Sequence, residues 1–244
     1  MNYKRKQIIC SVVMATYNGE KYIQEQIESI LKNMTEKDEL IISDDGSTDK
    51  TLQIINEFLE KDSRIKLIQG PHMGVKKNFE NAIINANGKY IFLSDQDDIW
   101  NKEKIKKVLQ IFEKEDCTLV IHDAVIVDEN LKCVNSSFFD YRKSGKGILK
   151  NIWKNTYIGC CMAFSTELKN KIIPIPQEIE MHDQWIGLIN EKYGKCYFLK
   201  EKLIKYRRHS NNVSQMHHYG IKKMLKNRIV LIKKYMERIK KCTI

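Results

Sequence analysis

Residues 91–100 read Ile-Phe-Leu-Ser-Asp-Gln-Asp-Asp-Ile-Trp. A short apolar run bounded by a polar turn fits a strand buried on both faces. Asp95, Asp97 and Asp98 then crowd together at its end and repel one another unless something neutralises them. A divalent cation does so, and oxygen ligands suit Mg²⁺ or Mn²⁺. Such a cation can bridge a diphosphate and stabilise the charge that builds on it as it leaves. The plainer reading is a solvated acidic turn, or a helix N-cap at Asp97 or Asp98. For a DxD standing alone the plainer reading is the better one, because short motifs recur by chance.

Working outward, the chain before this segment alternates strand and helix. Strands are predicted at 8–14, 40–43, 65–68 and 89–93. Between them, Ile23, Ile27, Ile30, Leu31 and Met34 recur at helical spacing, as do Leu52, Ile55 and Leu59, then Phe79 and Ile83. Thr48 or Asp49 can cap the second of these helices. After the acidic segment come a charged helix over 102–115, a strand over 118–127 and a hairpin turn at Asp128-Glu129-Asn130. Residues 138–154 have no decisive period. A strand over 157–165, helices over 166–172 and 182–193, a strand over 196–206 and a basic helix from Tyr219 onward complete the chain. The order predicts an α/β fold, a Rossmann-like and mostly parallel sheet with helices on both faces. Residues 1–214 form the expected catalytic domain and 215–244 a C-terminal basic amphipathic helix.

Two more polar clusters end strands of this sheet. Asp44-Asp45-Gly46-Ser47-Thr48-Asp49 follows the second strand, where a carboxylate can accept the imide N–H of uracil or thymine. Thr16-Tyr17-Asn18 follows the first: Tyr17 can lie against a nucleobase, and Thr16 and Asn18 can bind base or ribose. Each alone reads equally well as an ordinary turn. Together the clusters end strands one, two and four, and such sheets bind ligands beyond their strand C-termini.

Here the sequence resembles a known family. "ATYNGE" (15–20), "IISDDGSTD" (41–49) and "FLSDQDDIW" (92–100), with "IGCCMAF" (158–164), "MHDQW" (181–185) and "YRRHSNNVS" (206–214), are similar to glycosyltransferase family two. This is the large inverting family with the GT-A fold, and the similarity is to its rhamnosyltransferase-like members of bacterial polysaccharide synthesis. The resemblance spans about residues 11–214. It implies that Thr16, Tyr17, Asn18, Glu20, Asp45, Asp95 and Arg207 bind a nucleotide sugar. Asp97 or Asp98, with His209, would bind Mn²⁺ or Mg²⁺, and Arg207 or Arg208 would pair with the diphosphate. Asp183 matches the catalytic base, although a helix N-cap is its plain alternative. His122-Asp123 and Gly159-Cys160 are expected on the acceptor side. The QxxRW signature of processive synthases is missing, which implies one transfer per acceptor. The implied reaction moves a single sugar from a UDP- or dTDP-sugar to a hydroxyl of a cell-surface polysaccharide or lipid-linked glycan.

Composition weighs the alternatives. The chain has 244 residues, 42% hydrophobic, enough for one domain with a helical appendage. A net charge of +11 favours anionic partners without choosing among them. A nucleic-acid-binding protein is the non-enzyme reading. The chain carries no zinc-finger or RNA-binding signature, and its acidic clusters would repel phosphate, so no nucleic-acid partner is expected. A sugar-phosphate nucleotidyltransferase shares the sheet and acidic site but usually carries a glycine-rich N-terminal loop, which 15–19 is not. Seven cysteines without a CxxC pair read as reduced thiols of a cytosolic protein. Lys4, Arg5 and Lys6 before an apolar stretch faintly mimic a signal peptide, but a first buried strand fits better. No apolar run approaches the roughly 18 residues of a membrane span. The basic helix can pack on its own domain or lie on anionic lipid at the inner face of the cytoplasmic membrane.

Overall fold

The computed structural model describes residues 8–210, 212 and 220–243. Lys4–Lys6, the 214/215 boundary, Tyr219 and part of the "YRRHSNNVS" motif therefore lie outside the described residues.

The first half is a run of βα units: β1 (Cys10–Thr16), α1 (Ile23–Leu31), β2 (Asp38–Asp44), α2 (Thr51–Leu59), β3 (Ile65–Gln69), α3 (Val75–Asn85) and β4 (Tyr90–Ser94). A two-residue strand β5 (Ile99–Trp100), helix α4 (Lys104–Lys114), the long β6 (Leu119–Val127) and β7 (Cys133–Asn135) follow. Then come α5 (Phe138–Arg142), α6 (Ile148–Trp153), a 3₁₀ turn (Gly159–Cys161), β8 (Met162–Ser165), α7 (Thr166–Ile172), α8 (His182–Tyr193), β9 (Cys196–Arg207) and α9 (Ile221–Thr243).

The strands form one sheet in the order β3-β2-β1-β4-β8-β6-β9-β5, with β7 pairing to β6. The β3-β2-β1-β4 half is parallel throughout. Strand β8 enters antiparallel to both β4 and β6, and β6 and β9 run parallel beside it. Every residue of β1 and β2 is buried. Successive side chains point to opposite faces, so both faces of the sheet centre are covered. Ile23, Ile27 and Ile30 of α1 and Phe79, Ala82 and Ile83 of α3 supply part of that cover. The uneven exposure along β3 marks it as an edge.

The two ends of this sheet treat acids differently. At the amino end, Asp38 accepts from the Cys10 and Thr35 backbone N–H groups. Glu39 beside it accepts from Ser11 Oγ at 2.6 Å, Asn87 N at 2.8 Å and Lys66 Nζ at 2.7 Å. Burial pushes the Glu39 carboxyl up, but these donors outweigh it and leave it below the usual range. At the carboxyl end, one oxygen each of Asp45 and Asp98 is buried with no hydrogen-bond partner. Buried polar groups are ordinarily paired, so orphaned oxygens at the ligand-binding end of a parallel sheet ask for a ligand.

The expected strand over 157–165 is instead a 3₁₀ turn followed by the four-residue β8. The turn carries Cys160 against the acidic segment. Four of the seven cysteines are buried, and Cys133 is exposed on β7; all are free thiols. His122 and Asp123, expected on the acceptor side, are both buried, and His122 Nε2 has no hydrogen-bond partner. Asp123 instead holds the start of α5, accepting from Phe139 N, Ala124 N and Ser137 Oγ.

Candidate active site

Three loops meet beyond the carboxyl ends of β1, β2 and β4. Gln96, between Asp95 and Asp97, ties the first to the third. Its Oε1 accepts from Thr16 Oγ1 at 2.5 Å and from Tyr17 N at 3.0 Å, and its Nε2 donates to Tyr17 O at 3.1 Å. Thr16 is thus buried and fully engaged, while the Tyr17 ring is 56% exposed. Asn18 and Glu20 tie the first loop to the second. Asn18 Oδ1 accepts from Thr48 N, its own N–H donates to Ser47 Oγ, and Glu20 accepts from Lys50 N. These side chains thus brace the loops that carry Tyr17 and Asp45.

Asp44 and Asp45 are sorted by their partners. Asp44 spends both carboxylate oxygens on the turn, accepting from Gly46 N, Ser47 N and Ser47 Oγ. Gly46 sits at φ +99°, where a side chain would be strained, so this turn has one geometry. Asp45 accepts from Gly74 N at 2.7 Å with one oxygen, and its other is the orphan.

The acidic segment splits the same way. Asp97 Oδ2 lies 2.8 Å from His209 Nε2 and accepts from Asn212 Nδ2 at 3.1 Å. Asp98 is fully buried, and its Oδ1 accepts from Arg207 N at 3.0 Å. Burial, then the charge of Asp97, pushes the Asp98 carboxyl up to about 7. Burial also raises Asp95 well above the usual range, with Asp98, Asp97 and Asp183 adding to it. Ligand atoms of Asp95, Asp98 and Cys160 lie within 4.8 Å of one another. The Cys160 thiol is pushed well up by burial, so it stays protonated beside two carboxylates and is a poor ligand for a hard cation. A carboxylate cluster held partly neutral by burial and mutual repulsion, with one Asp98 oxygen lacking a hydrogen-bond partner, fits Mg²⁺ or Mn²⁺.

Arg207 is engaged through Nη2 alone, and its Nε is buried without a hydrogen-bond partner. Its guanidinium is buried, donates to Glu25 Oε2 at 2.5 Å and lies 4.5 Å from the Tyr22 ring centre. His209 stacks on the same ring at 4.8 Å. Arg208 Nη1 donates to Tyr206 Oη. A cavity of about 90 Å³ opens beside these groups, lined by Asn18, Tyr22, Gln96, Glu129 and His209 among others.

Asp183 lies in the first turn of α8, whose N-cap is Met181, so it is not the cap itself. Its Oδ1 accepts from Gln184 N at 2.6 Å and from Asn155 Nδ2 at 3.0 Å. Burial pushes its carboxyl up to about 6 against those donors. Its charge adds to the rise at the Asp95 carboxyl, so the two carboxyls lie near one another. Next to it, His182 is stacked on Phe79 at 4.3 Å and burial drives it down to about 3, a neutral packing group. Gly159 passes so close that a Cβ there would sit 2.9 Å from His182 Nε2.

Sequence reasoning missed Gln96, Gln26, Asn155 and Lys104. Gln26 Nε2 donates to Ser94 Oγ and Asp95 O, fixing α1 to the end of β4. Lys104 is fully buried beneath the acids, donates to Cys160 O at 2.8 Å and lies 3.6 Å from the Trp100 ring centre. Burial brings its amine down to about 8. Its only signal in the sequence was a lysine at an apolar-face position of a charged helix.

The sequence model described as Glycosyl transferase family 2 matches residues 11–172. The chain belongs to glycosyltransferase family 2. Among its relatives, the dTDP-rhamnosyl transferase RfbG of Shigella flexneri is 35% identical over 82% of this chain and 72% of its own length. The putative teichuronic acid biosynthesis glycosyltransferase TuaG of Bacillus subtilis is 27% identical over 84% of this chain and 81% of its own. Among solved structures, S. aureus TarS in complex with UDP-GlcNAc superposes with a TM-score of 0.73 at 24% identity, over 92% of this chain and 66% of that one. This likeness gives the family-2 chain its GT-A fold. An uncharacterized glycosyltransferase of Nostoc is 28% identical over 83% of this chain, which spans 65% of that relative's length.

Proposed function

We propose that this family-2 chain transfers one sugar from a UDP- or dTDP-sugar to a hydroxyl of a cell-surface glycan or lipid-linked acceptor, with inversion at the anomeric carbon. The observation that carries the reading is Asp183, a buried carboxylate oriented by Asn155 Nδ2 and Gln184 N whose charge acts on Asp95 of the acidic cluster. Support for the donor class comes from relatives and neighbours: one is a dTDP-rhamnosyl transferase and another binds UDP-GlcNAc.

In this reading Tyr17 lies against the base and the free oxygen of Asp45 accepts its imide N–H. Asp95 faces the ribose. Asp97, Asp98 and His209 would hold Mg²⁺ or Mn²⁺, which when bound supplies positive charge against the departing diphosphate. Asp183 accepts the proton of the acceptor hydroxyl as that oxygen bonds to the anomeric carbon and the bond to the diphosphate breaks. Attack from the face opposite the leaving group inverts the centre. A base near 6 is ionised at neutral pH yet retains affinity for a proton, which suits general-base work. Asn155 and Gln184 N hold its Oδ1 and so aim the other oxygen at the acceptor.

The test is nucleoside-diphosphate release from a panel of UDP- and dTDP-sugars with Mn²⁺, comparing the native chain with Asp183→Asn. The reading predicts release from one donor class and its loss in the variant while donor binding persists. Equal release by the variant would remove Asp183 from the chemistry.

A further inference from the structure

Helix α9 has two apolar lines. The inner one, Leu231 and Tyr235, is buried against the domain, with Ile239 beside it. Arg238 fixes that seating by donating to the carbonyls of Lys171, Ile173 and Pro174. The outer line is Leu225, Ile229, Ile232 and Met236, spaced four, three and four residues apart and all exposed, Ile229 by 66%. That spacing keeps them on one side of the helix.

Helix α6 extends this surface. Arg228 of α9 donates to Trp153 O, and its guanidinium lies 4.5 Å from the Trp153 ring centre. Beside that contact α6 exposes Leu149 and Trp153, one helical turn apart, by 83% and 65%. At about 100° per residue, Lys222, Lys226, Lys233 and Lys240 fall in the row next to the outer line, and all are exposed. Lys150 of α6 and Lys154 just after it are exposed as well. Glu237, the acid of α9, falls beyond the lysine row and lies 3.9 Å from Lys234.

We propose that α6 and α9 together form a docking face for an anionic phospholipid bilayer. An apolar stripe bordered by a lysine row is the pattern of a helix lying in a membrane interface. Its apolar side chains enter the acyl boundary, while lysine stems run along it and their heads reach phosphate. Trp153 adds an amphipathic ring of the kind that settles at headgroup level. The charge disfavours a second copy of the chain as occupant. A two-fold contact through this stripe would bring the lysine rows of both copies together with no acid on the stripe to offset them. Trp153 also lies two residues before Asn155, which holds the Asp183 carboxylate. Docking therefore sets the segment that aims the base against the lipid surface, as a lipid-linked acceptor requires; this last consequence rests on the function proposed above, whereas the docking does not.

The test uses the full chain without nucleotide, mixed with vesicles of phosphatidylcholine alone or with added phosphatidylglycerol. Co-sedimentation with the anionic vesicles, weakening as salt rises, is expected. A blue shift of tryptophan emission is expected with it. Trp100 and Trp185 are already buried, so that shift reports Trp153 and disappears in Trp153→Ala. Leu225→Asp with Ile229→Asp, and separately Lys222→Glu with Lys226→Glu and Lys233→Glu, should each weaken binding by about tenfold or more. These positions are exposed, so unchanged thermal melts will show the variants folded. No association at low salt, association untouched by either set of variants, or equal association with neutral vesicles would overturn the proposal. So would a dimer, seen by sedimentation equilibrium without lipid, that Ile229→Asp disperses. Nucleotide titration of the same samples reads the catalytic site separately, so the two readings fail independently.

Discussion

Asp183 and Asp98 are both carboxyls pushed upward by burial, and the consequences differ. Asp183 must be ionised to accept a proton, and its carboxyl lies near 6. The pH profile of kcat/KM should therefore fall about tenfold per unit as pH drops below about 6. Asp183→Asn should lower kcat by about 10²–10⁴-fold, the usual worth of a general base. Asp98 lies near 7 in the folded chain, against an ordinary value of 3.8. The folded state thus binds an extra proton between these values. Stability from the neutral carboxyl is present at low pH and lost as pH rises through about 7. The metal-free protein should therefore melt lower at pH 8 than at pH 6. Asp98→Asn should flatten that dependence and raise Tm at pH 8, by about 2–4 °C for each kcal/mol relieved. A variant that melts lower than the native chain at pH 8 would contradict this account. The acids were legible in the sequence because they cluster. Which of Asp44 and Asp45 stays free was not, since it depends on Gly46 and Ser47 claiming both oxygens of Asp44.

Between residue and fold, the segment from α6 to α8 decides how the base is held. Asn155 follows α6 and donates to Asp183 across 28 positions of sequence. Its hydrogen bond favours the ionised carboxylate, so Asn155→Ala should raise the Asp183 pKa. The acid limb of the pH profile then moves to higher pH, with donor affinity unchanged; a limb that stays in place would assign Asn155 to packing alone. Gln96→Ala should act on the other side of the cleft, freeing the Tyr17 loop and weakening nucleotide binding, which titration would read, with little effect on kcat. Neither residue stood out in the sequence, because each works through a contact between distant segments. The elements themselves were unevenly legible. Helices α7 and α8 fall where the sequence reading put them. Helices α5 and α6 have five and six residues, too few for a period to show. Residues 157–165 carry the composition of a strand, yet Gly159–Cys161 turns there to bring Cys160 beneath the acids.

At the scale of the whole molecule, a GT-A sheet is flanked by helices, and α9 packs outside α6 and α8. Helix α9 packs home through Leu231 and Tyr235 and still leaves its second apolar line outward. Of the two readings of this basic helix drawn from the sequence, the inner line bears out packing on its own domain, and the outer line is the face proposed above to meet lipid. Leu231→Ala should cost about 2–5 kcal/mol of stability, as for other buried leucines, measured by denaturant unfolding. Its exposed neighbour Ile229→Ala should cost little. Much of the +11 charge lies on α9, which carries nine Lys or Arg against one Glu, apart from the acidic cleft beyond the strand ends. That cleft is the centre of the account, and calorimetric titration of UDP, dTDP and GDP tests it most directly. It should be run with and without Mn²⁺, on the native chain and on Asp97→Ala and Asp98→Ala. The account predicts binding of a pyrimidine diphosphate that Mn²⁺ strengthens and that the variants weaken. No binding of any of the three, or binding indifferent to both metal and variants, would contradict it.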